Sequence, residues 1–298
     1  MESDQVRRVR SFNRTVTRRI GALDDNFLDR GRPLGQARLL YEIGREGAEV
    51  RELRARLALD SGYVSRLLRS LERQGLVSAR RSADDGRVRR VILTRRGLNE
   101  VKAYERGSDA LAESVLAPLS AAQRVHLVTA MAEVERLLRA SAVEIQVEMP
   151  DSADSLWCLE QYFRELAERF ETGFEPARSI SATAHELTPP SGVFLVARLE
   201  GQPIGCGALK VKDREIGELK RMWVARSARG LGVGRRILET LEGRAREIGL
   251  GILRLETNRT LKEAQALYRK SGYREVARFN DEPYAHHWFE KTGLRRSV

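Results

Sequence analysis

The chain has 298 residues, of which 42% are hydrophobic and 32% charged, and its formal net charge is +11. This mixture can fill a core and therefore excludes disordered, collagen-like and mucin-like chains, while the length predicts two domains. No apolar run approaches the roughly 18 residues that span a bilayer, and the first residues, MESDQVRRVR, lack the apolar stretch of a secretory signal. We therefore expect a cytoplasmic protein that does not enter a membrane. Cys158 and Cys206 stand outside any CxxC or Cys/His cluster, which predicts reduced core residues and no metal site.

The excess positive charge lies in the N-terminal half of the chain. Residues 1–141 contain 28 Lys+Arg and 19 Asp+Glu, a net charge of +9, whereas residues 142–298 contain 25 and 23, a net charge of +2. Residues 61–96 alone hold ten Arg against three acidic residues, a net charge of +7. Such clustering is typical of a surface that binds a polyanion, but charge alone is equally compatible with an Arg-rich solvated surface.

Hydrophobic spacing predicts helices over residues 6–29, 34–44 and 50–57. A fourth helix begins at Asp60 or Ser61, which are good N-caps, and ends near Gly75. Two helices joined by a tight turn form the helix-turn-helix signature. The solvent face of the fourth helix carries small, hydrogen-bonding and cationic side chains that suit a major groove: Ser61, Gly62, Tyr63, Ser65, Arg66, Arg69 and Arg73.

A basic hairpin follows the fourth helix. Residues 78–94 predict two strands around an Asp-Asp-Gly turn. Arg87, just past the turn, is placed to reach a minor groove, and neighbouring arginines such as Arg89 can meet phosphates.

The segment DSGYVSRLLRSLERQGLV, followed by DDGR and LTRRG, resembles the recognition helix and wing of the MarR family of winged helix-turn-helix regulators. This resemblance covers about residues 6–141, and we assign residues 1–141 as a mainly helical winged helix-turn-helix domain for DNA binding and dimerisation. It implies a homodimer on pseudo-palindromic double-stranded DNA. A heptad-like stripe in the last helix of this half supports dimerisation, although the stripe could pack within one subunit instead: Leu127, Met131, Val134 and Leu138.

A second domain, residues 142–298, begins where the helical pattern changes to an alternating one. Its pattern predicts an α+β fold with a mixed, mostly antiparallel sheet. Helices are expected over residues 152–172, 234–248 and 260–271. Strands are expected over residues 193–199, 203–211, 216–224, 252–256, 273–278 and 286–291.

A glycine-rich turn joins the strand over 216–224 to the next helix. Arg229, Gly230, Gly232 and Gly234 place consecutive backbone N–H groups at a helix N-terminus, where phosphate oxygens find donors and a favourable dipole. The preceding strands look antiparallel and no GK[ST] follows, so neither a Rossmann nor a Walker loop fits. Glycines that serve only a tight turn remain the alternative.

This turn, together with LRLETN and AQALYRKSGY, resembles motifs A and B of the GNAT acetyltransferase superfamily over residues 145–298. The resemblance implies acetyl-CoA as co-substrate. Its pyrophosphate would lie on the turn and the start of the helix, at Arg229, Gly230, Leu231, Gly232, Val233, Gly234 and Arg235. The pantetheine arm would pair with a splayed strand edge at Met222, Trp223 and Val224, with Asn258 helping to hold it.

Two residues are candidates for the chemistry. In the family, the tyrosine at the position of Tyr268 protonates the departing CoA thiolate, and the alternative is a buried aromatic residue of an amphipathic helix. Glu218, in GELKRMWV, resembles the family's base, which deprotonates the amine directly or through water. A salt bridge is the competing interpretation of Glu218.

The acceptor site is the least defined part. Arg221 could bind a substrate carboxylate, and Tyr284 and His287 lie in FNDEPYAHHWF near the expected cleft, although His287 could equally be a packing residue. We expect a DNA-binding regulator joined to an acetyl-CoA-dependent enzyme that acetylates the amine of a small molecule. The alternatives are a GNAT domain that senses acetyl-CoA or an amine without turnover, and a protein lysine acetyltransferase.

Overall fold

In the computed structural model of the protein, residues 3–81, 89–180 and 182–294 are described. The chain divides into two compact units, residues 1–130 and 131–298. This division falls inside the helix Ala121–Ser141, earlier than the boundary predicted after residue 141. Across the described residues, no helix is both long and apolar enough to cross a bilayer.

The N-terminal part of the chain is mainly helical, as predicted. Its elements in chain order are α1 (Ser3–Arg19), α2 (Leu34–Ile43), β1 (Ala48–Glu49), α3 (Val50–Leu57), α4 (Ser61–Arg73), β2 (Val77–Arg81), β3 (Arg89–Leu93), α5 (Arg95–Leu116) and α6 (Ala121–Ser141). The three strands form an antiparallel sheet in the order β1-β3-β2. The predicted hairpin is therefore present as β2 and β3, while its Asp-Asp-Gly turn lies outside the described residues.

The first helix is shorter than predicted. It ends at Arg19 rather than residue 29, because Gly21 adopts a φ of +66° and the chain turns there. Only the short 3-10 turn Phe27–Asp29 follows before α2. The core of this unit is built from the inner faces of α2, α4 and β3, with Leu39, Leu40, Leu68, Leu71 and Val91 all buried.

The second unit contains a seven-stranded sheet. Its elements are β4 (Glu144–Val147), α7 (Ala153–Arg169), β5 (Gly192–Leu199), β6 (Gln202–Val211), β7 (Ile216–Val224), α8 (Val233–Ile248), β8 (Ile252–Thr257), α9 (Lys262–Lys270), β9 (Arg274–Val276) and β10 (His287–Lys291). The strand order is β4-β5-β6-β7-β8-β10-β9, and β7 with β8 is the parallel pair among otherwise antiparallel neighbours. The predicted α+β class with a mixed, mostly antiparallel sheet is confirmed.

Helices cover both faces of this sheet. Successive side chains of a strand point to opposite faces, and β5 shows the result. Leu195 and Ala197 join the core that contains Ile237 and Leu241 of α8. Phe194 instead joins the smaller core that contains Cys158 of α7, and both cysteines are buried and free.

Candidate functional site

In the first unit, α4 presents an exposed cationic face. The Asp60 carboxylate accepts a hydrogen bond from the Tyr63 backbone N–H at 2.8 Å and caps the helix. Ser61, Arg66 and Arg69 are exposed, Tyr63 is 36% exposed, and Ser65 is half-buried. The Arg66 guanidinium lies 5.7 Å from the centroid of the Tyr63 ring. Arg87 and the side chain of Arg89 lie outside the described residues.

In the second unit, the glycine turn between β7 and α8 opens onto a cavity. Gly230 and Gly232 have φ values of +81° and +75°, and a Cβ added at either would meet nothing within 4 Å. Both positions thus combine a left-handed backbone with open space. Val233 begins α8, so the first N–H groups of that helix have no intrahelical partner. Arg136 donates to the Gly230 carbonyl at 2.9 Å and holds the turn in place.

This cavity, which we call the groove, has a volume of about 460 Å³. Ten of the residues predicted to bind the cofactor line it: Met222, Trp223, Val224, Arg229, Gly230, Gly232, Val233, Gly234, Arg235 and Tyr268. Two others do not. Leu231 is buried in the core at 7% exposure, because its side chain points away from the turn that its neighbours expose. Asn258 lines a different cavity, where its amide nitrogen donates to the Tyr284 carbonyl at 2.7 Å.

The predicted separation of two strands at the groove is visible in the pairing of β7. Its parallel register with β8 runs from Ile216 to Glu218. Its register with β6 shifts beyond that point, and Arg221 adopts a φ of +58°, which marks a bulge. The segment Met222–Val224 therefore continues along β6 while its other edge faces the groove.

Glu165 of α7 ties the walls of the groove together. Its carboxylate accepts hydrogen bonds from the Trp223 indole at 3.0 Å, from Arg229 at 2.6 and 2.7 Å and from Arg169 at 3.1 Å. Arg169 also pairs with Glu263 of α9. Burial raises the pKa of Glu165, but the bonds from Arg229, Trp223 and Arg169 outweigh burial and leave that pKa below its usual value.

Tyr268 of α9 lies on the wall between the groove and a second, smaller cavity. The residue is 5% exposed, packs on Tyr273 and Phe289, and lines both cavities. Burial, with a smaller contribution from Tyr162 and Glu256, raises the pKa of Tyr268 well above its usual value. Its hydroxyl is therefore neutral and able to donate at physiological pH.

The second cavity, which we call the acceptor cavity, has a volume of about 90 Å³. Aromatic residues form one side, with the rings of Phe174 and Tyr284 4.9 Å apart. Lys220 pairs with Glu256 at 2.5 Å on the other side. The guanidinium of Arg221 lies 4.7 Å from the centroid of the Phe163 ring, and Arg221 and Tyr284, both predicted to contact the substrate, line the cavity.

Glu218, predicted as the base, and His287, predicted to contact the substrate, are placed elsewhere. Glu218 is buried, with one carboxylate oxygen 3.6 Å from the Lys220 ammonium. It is not among the described residues that line the acceptor cavity, although its neighbours Leu219 and Lys220 are. His287 bonds Glu275 at 2.6 Å on the strand pair β9 and β10 and lines neither cavity within the described chain.

Tyr162 of α7 is a residue that sequence reasoning missed. It lines both cavities, and burial raises its pKa to about 12, with Arg221 opposing this effect and Glu256 and Glu282 adding to it. Its position three residues after Leu159 and four before Leu166 could have identified it as inward-facing. Across the described residues, no group of three or more His, Cys, Asp or Glu side chains is arranged to hold a metal ion.

Comparison with known proteins finds two families. Residues 159–273 match the acetyltransferase (GNAT) family, and residues 30–88 match the MarR family. Both predicted resemblances are thereby confirmed.

Each of the following relatives covers about half of this chain or less. An IAA acetyltransferase of Azospirillum brasilense is 46% identical over 100 residues, which are 33% of this chain and 63% of that protein. An uncharacterized HTH-type transcriptional regulator of Bacillus subtilis is 31% identical over 83 residues, 28% of this chain and 51% of its own. An acetyltransferase of the GNAT family from Staphylococcus aureus, known as a crystal structure, is 18% identical with a TM-score of 0.46 over 51% of this chain and 99% of its own. The chain thus spans less than two thirds of the length of these two curated relatives.

Proposed function

Because the chain joins a MarR-type domain to a GNAT acetyltransferase domain, we propose that it binds double-stranded DNA and transfers an acetyl group from acetyl-CoA to the amine of a small molecule. The observation that carries the enzymatic part is the wall shared by the two cavities. Tyr268 and Tyr162 line both the groove and the acceptor cavity. A thioester bound in the groove would therefore meet an amine in the acceptor cavity beside two hydroxyl groups.

The residues of the groove fit acetyl-CoA. The open glycine turn and the N–H groups at the start of α8 suit a pyrophosphate, and the edge of Met222–Val224 suits an extended amide chain. When bound, acetyl-CoA supplies the activated acetyl group. The protein's own part is to hold the phosphates, to orient the chain and to exclude water around Tyr268.

Tyr268 would act on the leaving group by donating a hydrogen bond to sulfur as negative charge develops there. Burial raises the pKa of this hydroxyl, which keeps the donor in its neutral form. Glu218, predicted as the base, would need a water molecule to reach an amine in the acceptor cavity, since other residues form the cavity wall.

The size of the acceptor cavity favours a small molecule over a protein lysine. About 90 Å³ holds a compact group, and the cavity is bounded by residues from α7, β7, β8, α9 and the segment before β10. A binding module without turnover is the second candidate, because the groove alone would suffice to bind the cofactor. The hydroxyls at the shared wall favour turnover.

Incubation with acetyl-CoA and a panel of primary amines, while free CoA thiol is followed, tests the enzymatic part. Amine-dependent thiol release supports the proposal. Saturable binding of acetyl-CoA without thiol release from any amine, together with a cofactor-dependent change in operator affinity, would instead identify a sensor.

The DNA-binding part rests on the exposed face of α4. Arg66, Arg69 and Tyr63 stand on the solvent side of a capped helix whose other side is buried, which is the arrangement that a recognition helix needs. Homodimerisation stays a prediction from the stripe in α6. Within that stripe Met131 and Leu138 are exposed in the single chain.

A further inference from the structure

Glu282 is a buried carboxylate on the wall of the acceptor cavity, in the segment between β9 and β10. The residue is 6% exposed. One oxygen accepts from the Ser179 hydroxyl at 2.9 Å and from the Ile180 backbone N–H at 2.6 Å, and the other accepts from the Tyr284 backbone N–H at 3.2 Å. Two carboxylate oxygens offer about four acceptor positions, so these three bonds hold the group firmly and leave capacity for a further donor.

The three donors that the described residues supply to Glu282 carry no charge. Among the described residues, no Lys, Arg or His nitrogen lies within 4.0 Å of its carboxylate. Glu256, in the same cavity, differs because Lys220 neutralises it at 2.5 Å. A buried charge is costly without a partner of opposite sign. Glu282 is therefore a carboxylate of this cavity without an ion-pair partner in the described part of the chain, and a bound cation would balance its negative charge.

The surroundings of Glu282 define what such a cation can be. The other charged or titratable side chains that line the cavity are Lys220, Arg221, Glu256, Tyr162, Tyr268 and Tyr284. Arg178 and Asp281, on the flanking segments, are exposed. Apolar and aromatic side chains, among them Phe170, Phe174 and Ile180, complete the wall. Among the described lining residues, Glu282 is thus a carboxylate held by uncharged donors beside a compact apolar surface, while the Arg221 guanidinium lies against the Phe163 ring.

We propose that Glu282 binds the ammonium group of the acceptor and then takes a proton from it; this inference rests on the proposed acetyl transfer. The acceptor is a primary amine with a compact apolar body. Alkyl amines have pKa values near 10, as lysine does, so the acceptor arrives as a cation without a lone pair for attack. The carboxylate of Glu282 first pairs with this cation and then accepts one N–H proton.

Acetyl transfer then follows. The neutral nitrogen attacks the thioester carbonyl carbon, the C–N bond forms and the C–S bond breaks. The second proton of the nitrogen passes to the departing thiolate, while Tyr268 donates a hydrogen bond to the sulfur. The products are the N-acetyl amide, CoA thiol and one proton released from Glu282 to solvent.

Three variants test the role of Glu282. Glu282→Gln removes the charge but keeps an oxygen acceptor and the side-chain size. Glu282→Asp keeps the charge on a shorter stem and serves as the conservative rescue. Glu275→Gln is the matched control, since Glu275 is an exposed carboxylate of β9 that lines neither cavity in the described chain.

The measurements are kcat and KM for acetylation of n-butylamine, phenethylamine and tyramine between pH 6 and 10, and the dissociation constant of acetyl-CoA by calorimetry. At pH 7 we expect kcat/KM for the amine to fall by about 10²–10⁴-fold in Glu282→Gln, with the affinity for acetyl-CoA unchanged. The deficit should shrink as the pH approaches the pKa of the amine, because neutral amine then needs no base. Glu282→Asp should recover part of the rate, and Glu275→Gln should match wild type.

Wild-type kcat/KM and an unchanged pH profile in Glu282→Gln would overturn the inference. So would an equal loss at every pH accompanied by weaker acetyl-CoA binding, because that result indicates a structural role. If the wild type acetylates none of the three amines, calorimetric titration of phenethylammonium into the protein decides. Binding that is lost in Glu282→Gln supports the inference, whereas no wild-type binding, or equal binding in both, overturns it. Failure to bind acetyl-CoA would refute the proposed function separately.

Discussion

Replacing Tyr268 with Phe removes one hydroxyl group from the wall between the groove and the acceptor cavity. The ring stays packed on Tyr273 and Phe289, and the residue is 5% exposed. We therefore expect the fold and the affinity for acetyl-CoA to be unchanged. Any loss of rate would therefore measure the contribution of the hydroxyl group alone.

The size of the loss follows from the acidity of the two groups. A thiol has a pKa near 8.5, whereas burial raises the pKa of Tyr268 above its usual value. Complete transfer of the Tyr268 proton to a thiolate is therefore unfavourable, and its role is to donate a hydrogen bond. A hydrogen bond to a charged partner contributes about 1.5–3 kcal/mol, which corresponds to roughly 10- to 150-fold in kcat.

The assay is release of CoA thiol at saturating acetyl-CoA, with Tyr273→Phe as the matched control. Tyr273 is a buried tyrosine in contact with Tyr268 that lines neither cavity among the described residues, so its variant should keep the wild-type rate. A wild-type kcat in Tyr268→Phe would refute the assigned role. A loss beyond about 10³-fold would refute the hydrogen-bond argument and indicate full general acid catalysis.

Gly232→Val should raise the dissociation constant of acetyl-CoA by about tenfold or more, because a branched side chain blocks the close approach of a phosphate. Gly249→Val, with φ of +91° at the other end of α8, carries the same strain and should leave the affinity unchanged. Arg66→Ala should weaken operator binding by about 1–3 kcal/mol if it contacts a base, while Arg244→Ala, at a side chain of α8 that is 43% exposed, should not; salt titrations of operator affinity measure both. Glu165→Gln should lower the free energy of unfolding at pH 7 by about 1.5–3 kcal/mol. Since the folded pKa of Glu165 is lowered, its stabilisation is present above about pH 4.3 and lost as acid titrates the folded group, so urea unfolding of the variant should depend less on pH below that point.

The cofactor side of the site could be predicted because its signals are local. Gly230, Gly232 and Gly234 stand within five residues of one another, and α8 begins at Val233 among them, so one short segment determines the turn. Tyr268 could be predicted for the same reason, since the sequence pattern around it lies in one helix. Leu231 was predicted to bind the cofactor but lies in the core, because residues of one turn alternate between the groove and the core and the local sequence does not show which face each one takes.

The acceptor cavity has no such local signal. Tyr162, Arg221, Glu256 and Glu282 come from four separate segments of the chain, and only the folded sheet brings them together. His287 illustrates the ambiguity of a strand, where alternation predicts two faces but does not say which one meets the cavity. The predicted end of α1 was wrong for a different reason. The apolar spacing continues past Gly21, whereas the backbone turns there.

The arrangement of polar groups also bears on the choice between an enzyme and a sensor. A module that reports one ligand needs contacts to that ligand alone, and Glu165 with the glycine turn would suffice for the groove. Tyr162 and Tyr268 instead line both cavities, where a hydroxyl can contact both ligands at once. Donors at that point are useful when charge moves between the two ligands, as in bond exchange. The geometry therefore favours transfer, and it implies that loss of the Tyr268 hydroxyl separates turnover from cofactor binding.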